Sequence, residues 1–266
     1  MDFKKITEVL VTAKAVQYVM IAVLLIGAFF LPRLAVKQET EAAGQEATAE
    51  VQQLKDSQQS GGNAQAAKGT IVLDPGHGGD DPGMIGAGGI NEKKLNLIYA
   101  KKLQALLEAE GYRVVLTRET EEGLYDVDAA HKKAQDMQRR VAIIAEEAPL
   151  ITVSIHQNSY QDPAVSGPQV FYYENSAEGQ KLAKSIQDSM NSELSEARSR
   201  VEKSNSSYYI LKRSQGTTVI VECGFLSNPE EEARLQEEAY QDRVCAAVCK
   251  GILQYLDEDS DESKIS

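Results

Sequence analysis

The chain has 266 residues, 42% of them hydrophobic and 26% charged, with a net charge of −12. That composition is globular, and the length allows one domain of about 190 residues plus added segments. Lys4, Lys5, Lys14 and Arg33 outnumber Asp2 and Glu8 near the N-terminus, so the remainder carries −14 and repels polyanions, which argues against a nucleic-acid partner.

Residues 15–32 contain no charge and are dominated by Val, Leu, Ile, Met and Phe. A run of that length suits a transmembrane helix, which needs roughly 17–25 residues. The lysines before it keep residues 1–14 inside and send the rest outward. Residues 15–36 therefore read as a signal-anchor. A cleaved signal peptide is the rival, but the apolar run is long for one, and Pro32-Arg33-Leu34-Ala35-Val36 is a poor cleavage site. Residues 37–69, rich in Gln, Ala, Glu, Gly and Ser, read as a flexible tether. As a coil it would span about 30 Å. Residues 257–266 read as a solvated acidic tail.

Between these segments, residues 70–256 alternate strands and helices. Thr70–Leu73 is a β-branched, apolar run stopped by Asp74-Pro75-Gly76. Asn91 is placed to cap a helix with Leu95, Ile98, Leu103, Leu106 and Leu107 on one face, ending at Gly111. Strands are expected over 112–117, 151–155, 169–173 and 218–221, and helices over 131–145, 178–194 and 229–256, the last broken near Glu238–Gln241. This order predicts an α/β fold: a single open, mostly parallel sheet with helices on both faces. Cys245 and Cys249 join Val244, Val248 and Ile252 on a core face, and three cysteines make no disulfide framework.

Four residues stand in settings that suit chemistry. His77 lies in a Gly-rich turn after the first strand, where a packing role is improbable. No Lys-Ser/Thr follows those glycines, so they do not form a phosphate loop. His156 ends the third expected strand, and Glu222 ends the last, where a buried carboxylate needs a metal or a proton. All three fall at C-terminal strand ends, the edge at which open α/β sheets place their sites. Glu92, in the first turn of the first helix, can reach the same rim, although spacing does not choose it over Asp80 or Asp81. Two imidazoles and a carboxylate make a three-ligand zinc site open to water, and a leftover carboxylate can act as base toward that water. Cys223 faces away from Glu222 by strand alternation, which argues against a Cys–His nucleophile. His131 reads as solvated. Arg118 and Arg140 suit either an anionic substrate or ion pairs.

The segments IVLDPGHGGDDPG, INEKKLNL, LITVSIHQNSY and VIVECGFLSNPEE make residues 71–256 resemble the zinc-dependent N-acetylmuramoyl-L-alanine amidases of the type 3 family. GPQVFYYENS, YYILKRS and GFLSNPEEEARL are similar to its sporulation-associated branch, which trims spore-cortex peptidoglycan. The resemblance implies one zinc held by His77, Glu92 and His156, with Glu222 as the catalytic glutamate. It implies peptidoglycan as substrate and recruitment by the anchor or by an activating protein partner, for a catalytic domain that the lysines before the apolar run place on the exported side of the membrane. Thr217-Thr218 departs from the family's usual Pro before the last strand. A zinc carboxypeptidase and a non-catalytic wall-binding protein of the same fold are the alternatives. A non-haem iron oxygenase shares the ligand types but usually sits in a β-barrel.

Overall fold

The computed structural model describes residues 67–265, with side chains as far as Glu258. The expected signal-anchor and nearly all of the tether lie outside these residues. Among the described residues no helix is long and apolar enough to cross a membrane.

The chain runs β1 (Thr70–Pro75), α1 (Glu92–Ala109), β2 (Arg113–Leu116), α2 (Lys132–Glu147), β3 (Ile151–Asn158), β4 (Gln169–Tyr173), α3 (Ala177–Glu193), β5 (Lys203–Asn205), α4 (Tyr209–Arg213), β6 (Thr217–Phe225), α5 (Pro229–Leu235) and α6 (Glu238–Ile265). The strands form one sheet in the order β2-β1-β3-β6-β4-β5. Every pairing is parallel except β4 with β6, so the sheet is mixed but mostly parallel. The chain leaves β1 toward β2 on one side and returns to β3 on the other. The order therefore reverses between β1 and β3, where open α/β sheets form a crevice beyond their carboxyl ends.

Strand alternation sorts side chains onto two faces. Ile71 and Leu73 of β1, Ile151, Val153 and Ile155 of β3, and Val219, Val221 and Cys223 of β6 enter one core, with Leu95 and Leu103 of α1, Leu182 and Ile186 of α3, and Val244, Val248 and Ile252 of α6. Val72 and Ile220 point the other way and pack with Ile144 of α2 and Ile210 and Leu211 of α4. Helices thus cover both faces. By the same alternation Asp74, Ser154, His156 and Glu222 share the α2/α4 face near the sheet's C-terminal rim.

Several elements differ from expectation. Leu106 is 37% exposed, because the buried stripe of α1 runs through Glu92, Asn96, Tyr99, Leu103 and Leu107, one position round the helix. Asn91 occupies the N-cap position of α1 without a side-chain capping bond. The break in the last helical stretch comes at Gln236–Glu237, where Tyr99 Oη and Gln241 Nε2 donate to the carbonyl of Leu235. The acidic tail continues α6 as far as Ile265. Thr217 and Thr218 enter β6 in register with Ile151 and Thr152. Strand β6 runs three residues past Glu222, and its ladder with β3 shifts between His156 and Asn158. Such irregularities re-aim side chains beside sites.

Candidate metal centre

The loop after β1 carries His77 in a left-handed backbone conformation (φ 63°), uncommon for a residue with a side chain. Strain of this kind costs on the order of 1–3 kcal/mol and persists only where the surroundings over-determine it. Here they do. Buried Asp74 accepts hydrogen bonds from Thr117 Oγ1 (2.6 Å), Ser154 Oγ (2.6 Å) and Arg140 Nη1 (2.7 Å). Arg140, 1% exposed, also donates to the carbonyls of Pro75 and His77. Arg118 donates to the carbonyls of Pro75 and Gly76. The two arginines are occupied by backbone carbonyls and internal carboxylates. Arg140 makes the ion pairs the sequence allowed, with Asp74 and Asp136, whereas Arg118 is buried on backbone carbonyls, a role the sequence did not suggest.

Glu92 enters from the first turn of α1, 3% exposed. Its Oε2 accepts from Met84 N–H (2.8 Å), and its Oε1 accepts from Gln157 N–H (3.1 Å) and Asn96 Nδ2 (3.2 Å). The imidazoles close on the same carboxylate: His77 Nε2 lies 3.2 Å from Oε2 and His156 Nδ1 2.9 Å from Oε1. Burial acts to raise the Glu92 carboxyl pKa, but the hydrogen bonds and charges of His156 and His77 outweigh it and hold the group well below the usual carboxylate range. For His156, burial acts to lower the pKa, and Glu92 more than offsets that. The His156 ring lies so close to Gly76 that a Cβ there would stand 2.1 Å from its Cε1. Only glycine leaves room for the ring.

Glu222 stands beside His156 in the parallel register of β3 and β6, so both side chains leave the same face. It is 7% exposed, and its Oε2 has no hydrogen-bond partner among the described residues. Burial, the largest influence, pushes its carboxyl up to about 7, with His156 opposing and Glu92 adding to the shift. His77, Glu92, His156 and Glu222 all line one cavity of about 680 Å³, which Tyr125, Lys132, Lys133 and Tyr208 also line.

The donor set fits a divalent cation. One ligand atom from each of His77, Glu92 and His156 lies within 4.8 Å of the others. Ligands about 2.1 Å from one tetrahedral ion stand roughly 3.4 Å apart, and the two His–Glu separations are near that. Two imidazoles and one carboxylate are a common catalytic donor set for zinc.

All four expected residues therefore converge, and Cys223 lies in the opposite core as alternation required. His131 is exposed. Asp80, which spacing could not separate from Glu92, instead pairs with Lys132 at 2.7 Å on the surface. Asp81, equally open from spacing, lies 3.1 Å from His77 Nδ1. Asn96 was missed, although its position one turn after Glu92 on the same helix face was a usable signal. The role of Arg118 and Arg140 in holding the carbonyls of the β1 loop had no local signal, because Pro75, Gly76 and His77 are distant from them in sequence.

Comparison with known proteins agrees with this geometry. The family model described as N-acetylmuramoyl-L-alanine amidase matches residues 71–254. The germination-specific N-acetylmuramoyl-L-alanine amidase of Bacillus subtilis (strain 168) is 37% identical over 194 residues, covering 72% of this chain and 81% of that protein. The CwlD amidase of Clostridioides difficile, solved in complex with the GerS lipoprotein, is 34% identical with a TM-score of 0.69, over 71% of this chain and 98% of that one. AmiC2 of Nostoc punctiforme, an N-acetylmuramoyl-L-alanine amidase, is 33% identical with a TM-score of 0.62, over 71% and 97%. A match spanning β1 to α6, on a sheet whose rim gathers two histidines and two glutamates, makes this chain a member of the N-acetylmuramoyl-L-alanine amidase family and an enzyme.

Proposed function

We propose that this amidase depends on one zinc ion held by His77 Nε2, Glu92 and His156 Nδ1, that Glu222 is its general base and acid, and that its substrate is spore-cortex peptidoglycan. The observation that carries the reading is the buried carboxylate of Glu222, whose Oε2 has no hydrogen-bond partner among the described residues, in the same cavity as a three-residue ligand cluster. Zinc bound there supplies a Lewis acid that polarises the scissile carbonyl and acidifies water. The bond cut joins the lactyl group of muramic acid to L-alanine. Glu222 takes the proton of the attacking water on its free Oε2 and delivers it to the departing amine nitrogen. Burial raises this carboxylate's affinity for protons and a neighbouring cation's charge would oppose that, so the group can both take the proton and release it. Glu92 keeps the two imidazoles in place through bonds to two backbone N–H groups and Asn96.

The cortex role rests on the similarity to a germination-specific amidase. A lipoprotein bound to the Clostridioides difficile relative supports an activating or recruiting protein partner here. The uncharged run at residues 15–32, with lysines before it, supports a single-pass membrane location with residues 70–256 on the exported side.

The test is digestion of purified peptidoglycan by the full-length protein in detergent, followed by mass spectrometry. Wild type frees whole stem peptides. Glu222→Gln keeps the wild-type zinc content and loses about 10²–10⁴-fold in rate. A Glu222→Gln enzyme cutting at the wild-type rate overturns the assigned role, and products shortened only at the peptide's far end overturn the assigned bond.

A further inference from the structure

We infer that Asp81 is a positioning residue that fixes the His77 imidazole in the tautomer needed to present Nε2 as a metal ligand. The inference rests on the proposal that His77 binds zinc. A neutral imidazole carries its proton on one ring nitrogen and its lone pair on the other. A ligand nitrogen needs the lone pair, so the opposite nitrogen must hold the proton and needs an acceptor. Asp81 Oδ2 lies 3.1 Å from His77 Nδ1, while His77 Nε2 faces Glu92 Oε2 at 3.2 Å. An ionised carboxylate only accepts. Both carboxylates can accept from a metal-free imidazole; once Nε2 gives up its proton to a cation, Nδ1–H donating to Asp81 keeps the lone pair on Nε2, on the side of the cluster.

Asp81 is itself held in place. Gly83 N–H donates to its Oδ1 at 3.1 Å, and Lys133 Nζ from α2 stands 3.2 Å from its Oδ2. Two reciprocal backbone bonds, Gly78 N–H to the Asp81 carbonyl and Asp81 N–H to the Gly78 carbonyl, both 3.1 Å, close the loop between histidine and aspartate. The carboxylate is thus presented to Nδ1 by a fastened turn rather than by a free side chain. Adjacent Asp80 turns outward to Lys132, with a side chain 72% exposed. The two histidines are oriented by different means: His156 packs against Gly76, and His77 answers to a carboxylate.

The experiment compares the full-length protein in detergent with Asp81→Asn, Asp81→Ala and Asp80→Asn. Zinc affinity is measured by chelator competition, and the His77 tautomer by ¹⁵N chemical shifts of the metal-free protein. Asn can keep the Oδ1 bond from Gly83 N–H while turning an NH₂ donor toward Nδ1, so Asp81→Asn should strip the proton from Nδ1 and leave one on Nε2, against Glu92. The expected result is a loss of roughly 10–100-fold in zinc affinity for Asp81→Asn, a shifted tautomer, and an unaltered urea midpoint of the metal-free protein. Asp81→Ala also loses affinity, and Asp80→Asn binds like wild type. If wild type and Asp81→Asn bind zinc equally and share one tautomer, the inference is overturned. If wild type binds no zinc, the ligand assignment fails and the inference with it; if wild type binds zinc and Asp81→Ala and Asp81→Asn bind it as tightly, the inference alone fails.

Discussion

The loop that carries His77 is built on Asp74, and stability at this residue should follow the charge of its carboxylate. Burial acts to raise its pKa, but the charge of Arg140 and the hydroxyls of Ser154 and Thr117 outweigh that and bring it from 3.8 to about 2. The folded value lies below the unfolded one, so the contribution is complete above about pH 4 and is lost as pH falls through about 2. A shift of that size corresponds to about 2 kcal/mol. Asp74→Asn should lose about that much at pH 7, and the gap to wild type should close toward pH 2. Urea denaturation of both proteins across this range checks it; a gap independent of pH contradicts it. At this scale the sequence was informative where a residue's setting was unusual. His77 in a glycine turn and Glu222 in an apolar strand stood out without any partner in view. Glu92 did not, because a glutamate in a first helical turn is ordinary, and only the family resemblance chose it over Asp80 and Asp81.

Among the elements, short helix α5 ties the rim together out of proportion to its length. Asn228 Oδ1 accepts from the N–H groups of Glu230 and Glu231, both at 3.0 Å, with Pro229 opening the helix. The first turn then offers Glu231 to the N–H groups of Phe225 and Gly167, and Glu232 to that of Gly88. One capped turn therefore holds the end of β6, the entry to β4 and the loop before α1. Asn228→Ala should cost about 1 kcal/mol of global stability, the usual worth of an N-cap. Denaturant unfolding at neutral pH checks this, and an unchanged midpoint contradicts it. The main strands and helices were legible because their apolar residues repeat with clear periods. β5 and α4 were not. β5 is three polar residues at the sheet edge, and α4 is a single turn set up by Asn205 Oδ1 accepting from Ser207 and Tyr208 N–H. Neither is long enough to show a period.

For the whole molecule, the sheet decides where chemistry is possible. Its order reverses between β1 and β3, and it is there that His77 and His156 meet, with Glu222 on the next strand and Glu92 leaning in from α1. That residues 145 positions apart converge follows from the βα order, which placed their strand ends on one rim. The reversed direction of β4 goes with its link from β3, residues 159–168, which carries no helix to cross back over the sheet; that β6 would lie between β3 and β4 was not legible, because it depends on a strand that comes later in the chain. The most direct measurement is anomalous diffraction at the zinc edge from crystals grown with zinc. One strong peak is expected about 2.0–2.2 Å from His77 Nε2, a Glu92 carboxylate oxygen and His156 Nδ1, with Glu222 beside it but not bound to it. A peak elsewhere, or none in the cavity of zinc-loaded active enzyme, would contradict the ligand assignment.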